Sequence, residues 1–212
     1  MHRKENMMPS SDNQIYDDLA GVIQSVFDLY GGTSYIRSGQ IPDLDLYVDQ
    51  ITTFLSQHLE KNSRFPDEKV MTKTMINNYT KNKLLPPPQK KKYSGSHMIL
   101  LILIYYFKSY LSITDIQTIL KPLTGYYFKG ESDLALSEVY DRMFSNEDAL
   151  LEAVSSSIDK ELSFSQTFFE DVDDEHKDYL DRFALICTLS LDIYLRKKIV
   201  EQLIDTMPEH KD

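Results

Sequence analysis

The chain is poor in the residues that brace small secreted or metal-bound folds. It has a single cysteine, Cys187, among 212 residues, which excludes an internal disulfide framework and fits a reducing compartment, the cytoplasm. Glycine occurs only seven times, and no Gly-rich phosphate loop, nucleophile elbow or paired-carboxylate signature is present, so no enzyme is expected. The five histidines, His2, His58, His97, His176 and His210, lack ligand spacing, so neither a metal nor another cofactor is expected. The longest apolar run, Met98 to Phe107, is about half of a membrane span; it reads as a buried core helix, and no membrane is expected. Met1-His2-Arg3-Lys4 is followed by polar residues rather than an apolar core, and no signal peptide is expected.

Acidic residues are also missing, but only locally. The whole chain carries a net charge of −10, yet Lys69 to Thr114 holds eight lysines and no acid, leaving the remainder at −18. Residues 131–181 alone contain sixteen acids and three bases. A basic island in an acidic protein points to a local polyanion contact.

The dominant periodicity is helical. Ile15, Tyr16, Leu19, Val22, Ile23, Val26, Phe27 and Tyr30 form one apolar stripe that should stop at Gly31-Gly32. A second helix is expected from about Asp43 to Leu59, and a short one from Lys73 to Lys83 with Thr72 as N-cap. Pro86-Pro87-Pro88 is expected to end that helix, with Gln89 to Tyr93 a basic extended strip. Ser94 or Ser96 should cap the apolar helix, and Ser112 to Leu120 should form another. Lys121-Pro122 and Gly125 to Gly130 read as a break and a domain boundary. Three helices are expected beyond it, at about 132–143, 146–162 and 176–207. Cys187 lies in the most apolar part of the last, where burial would keep its thiol inert.

The short helix carries the functional signal. Met75, Ile76 and Tyr79 cluster on one side; Thr74, Asn77 and Lys81 lie opposite, with Lys73 and Asn78 on the flanks. Such hydroxyl, carboxamide and ammonium groups contact base edges and phosphates, and asparagine pairs bidentately with adenine in the major groove. Lys90, Lys91 and Lys92 supply charge for a phosphate backbone. Thr72 at the helix N-terminus adds an anion contact.

The run Thr74 to Pro86, the basic strip Lys90-Lys91-Lys92-Tyr93-Ser94, and Leu101, Ile104, Lys108 and Leu111 to Leu120 together resemble the winged helix-turn-helix of MerR-type regulators over about 50 residues. Asn77 and Asn78 stand where that family has arginine and tyrosine, and Lys83 where it has glycine. Ile41 to Leu120 also resembles an uncharacterised bacterial family catalogued as domain of unknown function 1836, through Asp45 to Ile51, Thr72 to Tyr79 and Leu84 to Pro88.

These resemblances imply an all-α protein with a MerR-like winged helix-turn-helix domain and a short wing. The expected organisation is an N-terminal helical arm (1–40), the winged domain (41–122) and a C-terminal helical domain (123–212) for dimerisation or signal reception. The expected function is transcriptional regulation in the cytoplasm by a homodimer on double-stranded DNA, with the small-molecule effector open. The alternative is a winged-helix protein–protein interaction module that does not bind DNA.

Overall fold

A computed structural model describes residues 11–30, 35–60, 68–128, 132–172 and 175–208. The chain is mainly α-helical and divides into two compact units, 33–147 with 197–212, and 1–32 with 148–196. The three segments expected from the sequence are grouped differently here. Residue 122 falls inside a helix, and the stretch expected to form a separate C-terminal domain is shared between both units.

In the first unit, α2 (Val48–Leu59) buries Ile51, Leu55 and Leu59, three residues spaced one helical turn apart. It starts later than expected. Leu46–Tyr47 is instead a two-residue strand, β1, and the Gln50 side chain accepts the Tyr47 N–H at 2.9 Å, capping the helix without a Ser or Thr. β1 pairs antiparallel with β2 (Lys92–Tyr93) in the register Leu46 to Tyr93 and Tyr47 to Lys92. Leu46 and Tyr93 both point into the core.

Helix α3 (Lys73–Lys81) opens as expected: Thr72 Oγ1 accepts the Met75 N–H at 3.2 Å. It closes two residues early, and the prolines are not the cause. Lys83 adopts a left-handed conformation (φ 60°). The Leu84 N–H then reaches the Tyr79 carbonyl (2.9 Å) and the Lys83 N–H that of Thr80 (3.1 Å), the crossed bonds of a Schellman cap. The turn drops Leu84 and Leu85 into the core.

Helix α4 (Gly95–Phe107), capped at Ser94, is buried continuously from His97 to Ile104 and forms the centre of the unit. Helix α5 (Ile113–Tyr126) begins in a Ser112–Asp115 capping box and runs through Pro122 and Gly125, where a break was expected. Ile116, Leu120 and Leu123 continue one apolar stripe past the proline, and their packing offsets its cost. Helix α6 (Leu136–Met143) buries Leu136 and Tyr140, whose hydroxyl donates to the Ile36 carbonyl at 2.8 Å.

The second unit contains α1 (Ser11–Tyr30), α7 (Glu147–Gln166) and most of α8 (Lys177–Asp205). Its core is small: Leu19, Leu162 and Leu185, with Ala20, Ile23 and Leu189 against them. Cys187, expected to be buried, is exposed. The buried face of α8 runs through Ala184 and Leu185, and Cys187 lies on the other side of the helix. The expected stop at Gly31-Gly32 lies outside the described residues. Among the described residues no helix is long and apolar enough to cross a membrane.

Candidate functional site

Helix α3 is held by its apolar side. Ile76 and Tyr79 are buried and Met75 is half-buried, which turns Lys73, Thr74, Asn77, Asn78 and Lys81 to solvent. All five expected outward residues therefore share an exposed surface. Thr72 differs from them: it is half-buried, and its oxygen is occupied by the Met75 N–H. The Lys73 ammonium lies 3.5 Å from the Asp49 carboxylate with both groups well exposed, a pairing worth well under 1 kcal/mol.

The expected extended strip at 89–93 is a tight hairpin turn. Gln89 and Lys92 exchange two backbone hydrogen bonds, of 3.0 and 2.8 Å, and the two residues between them are both left-handed, Lys90 at φ 49° and Lys91 at φ 66°. Two consecutive left-handed residues define a type I′ turn, whose twist matches that of the flanking strands. The geometry separates the three lysines. Lys90 and Lys91 are exposed at the tip, whereas Lys92 is half-buried with its ammonium over the Tyr47 ring, 5.2 Å from the centroid.

The basic island is thus not uniform. Lys108 is half-buried, donates to the Val70 carbonyl at 2.9 Å and lies over the Tyr105 ring; burial lowers its pKa. It anchors the segment that leads into α3. Lys69, Lys81, Lys83, Lys90 and Lys91 are exposed.

His97 has a role that sequence reasoning missed. Its ring is only 4 % exposed, and Nδ1 accepts the Ser94 N–H at 3.0 Å, which fixes the start of α4. The ring meets Tyr93 of the hairpin and Phe128 edge-on, at 5.3 and 4.7 Å. Burial lowers its pKa, against the opposing pull of the Pro86 and Pro87 carbonyls and the Asp45 carboxylate. The Ser94-x-x-His97 spacing is that of a helix cap, and it is the signal that could have found this residue. Among the described residues no group of three His, Cys, Asp or Glu side chains is placed to hold a metal ion.

Fold and surface together define a small helical domain that presents a polar helix face and a lysine-tipped hairpin. The chain belongs to the family described as Domain of unknown function (DUF1836), whose model matches residues 36–143. That match nearly coincides with the 33–147 segment of the first unit. No curated protein and no solved structure matches the chain.

Proposed function

We propose that the chain is a sequence-specific, DNA-binding transcriptional regulator built on a MerR-like winged helix-turn-helix, with α3 as recognition helix and the 89–92 hairpin as wing. The observation that carries this reading is the outward set Thr74, Asn77, Asn78 and Lys81, joined in one acid-free stretch to a hairpin with Lys90 and Lys91 at its tip. Asparagine and threonine read base edges in a major groove, and exposed lysines neutralise phosphates. In a homodimer two copies of α3 enter successive grooves. The acidic remainder of the chain suppresses non-specific binding.

The test is salt-dependent binding. If each copy neutralises three or four phosphates, the log–log slope of affinity against salt is about −5 to −7 for the dimer. Exchanging Lys90 and Lys91 together for alanine removes four of those charges and flattens the slope by about 3 to 4 for every sequence. Adding Lys92→Ala changes it less, because that ammonium rests on Tyr47. Asn77→Ala alters sequence preference instead. A double-lysine variant with the wild-type slope refutes the wing assignment.

Exposed Leu44, and Tyr47 within the hairpin's partner strand β1, favour the second reading, a protein-binding module. Genomic immunoprecipitation separates the two: enrichment at a few promoters supports the regulator, and none, with a protein that co-purifies stoichiometrically, supports the module.

A further inference from the structure

The first unit holds a cavity of about 430 Å³, lined by the segment that starts at Tyr35 and by the end of α6. That volume lies within the range of small-molecule sites. Two contacts fix its frame. The Tyr140 hydroxyl donates to the Ile36 carbonyl at 2.8 Å, and Asp141 accepts the Ser38 N–H at 3.2 Å together with the Ser38 hydroxyl. One wall is aromatic: the Tyr35 and Phe144 rings stack at 3.8 Å, and Tyr140 meets Phe144 edge-on at 4.8 Å. Burial above all, with the Glu147 charge contributing, raises the pKa of Tyr35 and Tyr140, so both phenols stay neutral.

The polar lining is unevenly used. Asp141 is engaged by Ser38 through both of its oxygens. Glu147, the last residue of the 33–147 segment, also lines the cavity, and its Oε1 is buried and accepts no hydrogen bond among the described residues. A buried acceptor left without a donor costs more than an ordinary hydrogen bond gains, and most of all when it is charged. A carboxylate can only accept, so the group that answers it is a cation with N–H donors: a primary ammonium rather than a quaternary one, which has no proton to give. Charge selects further. Two carboxylates stand in the lining against one guanidinium, that of the exposed Arg37. A monocation therefore leaves the cavity neutral, a carboxylate on the ligand restores the negative charge, and a second ammonium is repelled by Arg37. The three rings offer apolar contact and faces that attract a cation.

We propose that this cavity binds a small organic monocation, a primary ammonium on an apolar body, with the ammonium on Glu147 and the body against Tyr35, Tyr140 and Phe144. Its use as an effector of regulation rests on the DNA-binding reading above; the binding itself does not.

The probe is 2-phenylethylamine, titrated against the full chain without DNA at physiological salt and followed by ligand-observed NMR. For a probe of about nine heavy atoms, ordinary ligand efficiency gives a dissociation constant of about 1 mM or tighter. The neutral counterpart 2-phenylethanol binds about tenfold more weakly or worse, because it brings no charge to Glu147. Glu147→Gln keeps the shape and removes the charge; it weakens the amine by about tenfold or more and leaves the alcohol unchanged. Glu138→Gln, at an exposed carboxylate that accepts Arg142, leaves both unchanged. Equal affinity for amine and alcohol in the wild type overturns the proposal, whether or not the Glu147 variant folds. So does an amine that fails to bind at several times the expected constant, or a folded Glu147→Gln chain that binds the amine like the wild type. Phenylalanine bound as tightly as the amine overturns the choice of a monocation. A chain that binds the amine in this way but binds no DNA refutes the regulator and leaves the cavity supported.

Discussion

The two units differ in how completely they bury themselves. In the one that carries the basic stretch, α2, α3, α4 and α5 converge on side chains with essentially no exposure, among them Ile51, Leu55, Ile76, Leu101 and Ile116. In the acidic one the buried apolar residues, among those described, are Leu19, Leu162, Ala184 and Leu185, and α8 leaves large apolar residues in solvent. The first unit closes a large core within one chain, with Leu44, Tyr47 and Tyr126 among the apolar side chains it leaves exposed beside its polar and basic residues. The second is a sparse core with apolar surface to spare, the composition of an element that gains stability from association. Acids are shared almost equally, sixteen in the first unit and seventeen in the second, but the first holds seventeen Lys and Arg and the second only six.

The largest effect expected from this contrast is on stability. Leu101→Ala, at a site with no exposure, should cost about 3 to 4 kcal/mol. Leu185→Ala, at a site that is less enclosed, should cost about 2 kcal/mol. Urea unfolding followed by circular dichroism measures both, and equal costs would break the comparison.

Next is the acid sensitivity of the first unit. Burial holds the His97 pKa below its ordinary 6.5 in the folded state. The unfolded chain therefore binds the extra proton first, so the stability that His97 contributes is complete above about pH 6.5 and falls as the pH drops below it. Protonation also puts a proton on Nδ1, where it opposes the Ser94 N–H and breaks the cap of α4. Unfolding free energy measured at pH 7.5 and pH 5.5 should fall for the wild type and fall less for His97→Gln. A wild-type protein with no loss on acidification contradicts the assignment.

A smaller change tests the seating of α3. Thr72→Ala removes the oxygen that holds the Met75 N–H and should cost about 1 kcal/mol. A cost near zero means that solvent satisfies the first turn equally well, and that the helix is held by Ile76 and Tyr79 alone.

What could be read from the sequence was whatever is decided locally. Thr72 with the Met75, Ile76 and Tyr79 pattern placed α3; the ten-residue run placed α4; and the outward face of α3 followed from its buried one. Features that depend on distant partners could not be read. The strand Leu46–Tyr47 exists because Lys92–Tyr93 lies beside it, and two residues carry no period. The end of α3 depends on a left-handed lysine where glycine is the usual signal. Helix α5 passes Pro122 because packing at Leu123 continues the stripe. The placement of α6 with the first unit rests on Tyr140 reaching Ile36, over a hundred residues away. The exposure of Cys187 depended on which face of α8 its own unit covers.

The smallest predicted effect concerns the hairpin tip, where conformation and charge can be separated. Lys91 has φ 66° and Lys90 φ 49°, a region that costs a non-glycine residue about 1 kcal/mol or more. Glycine removes that strain but adds freedom to the unfolded chain, so Lys91→Gly should stabilise the first unit by about 0.5 kcal/mol net. Lys91→Ala keeps the strain and should leave stability nearly unchanged. Both variants remove one ammonium, and on the proposed function both flatten the salt dependence of DNA binding equally, by about 0.9 for each copy. If Lys91→Gly destabilises the fold, the lysine side chain contributes to packing that its exposure does not reveal. If glycine stabilises while both variants weaken binding alike, then lysine is kept at this turn for its charge, against the preference of the backbone.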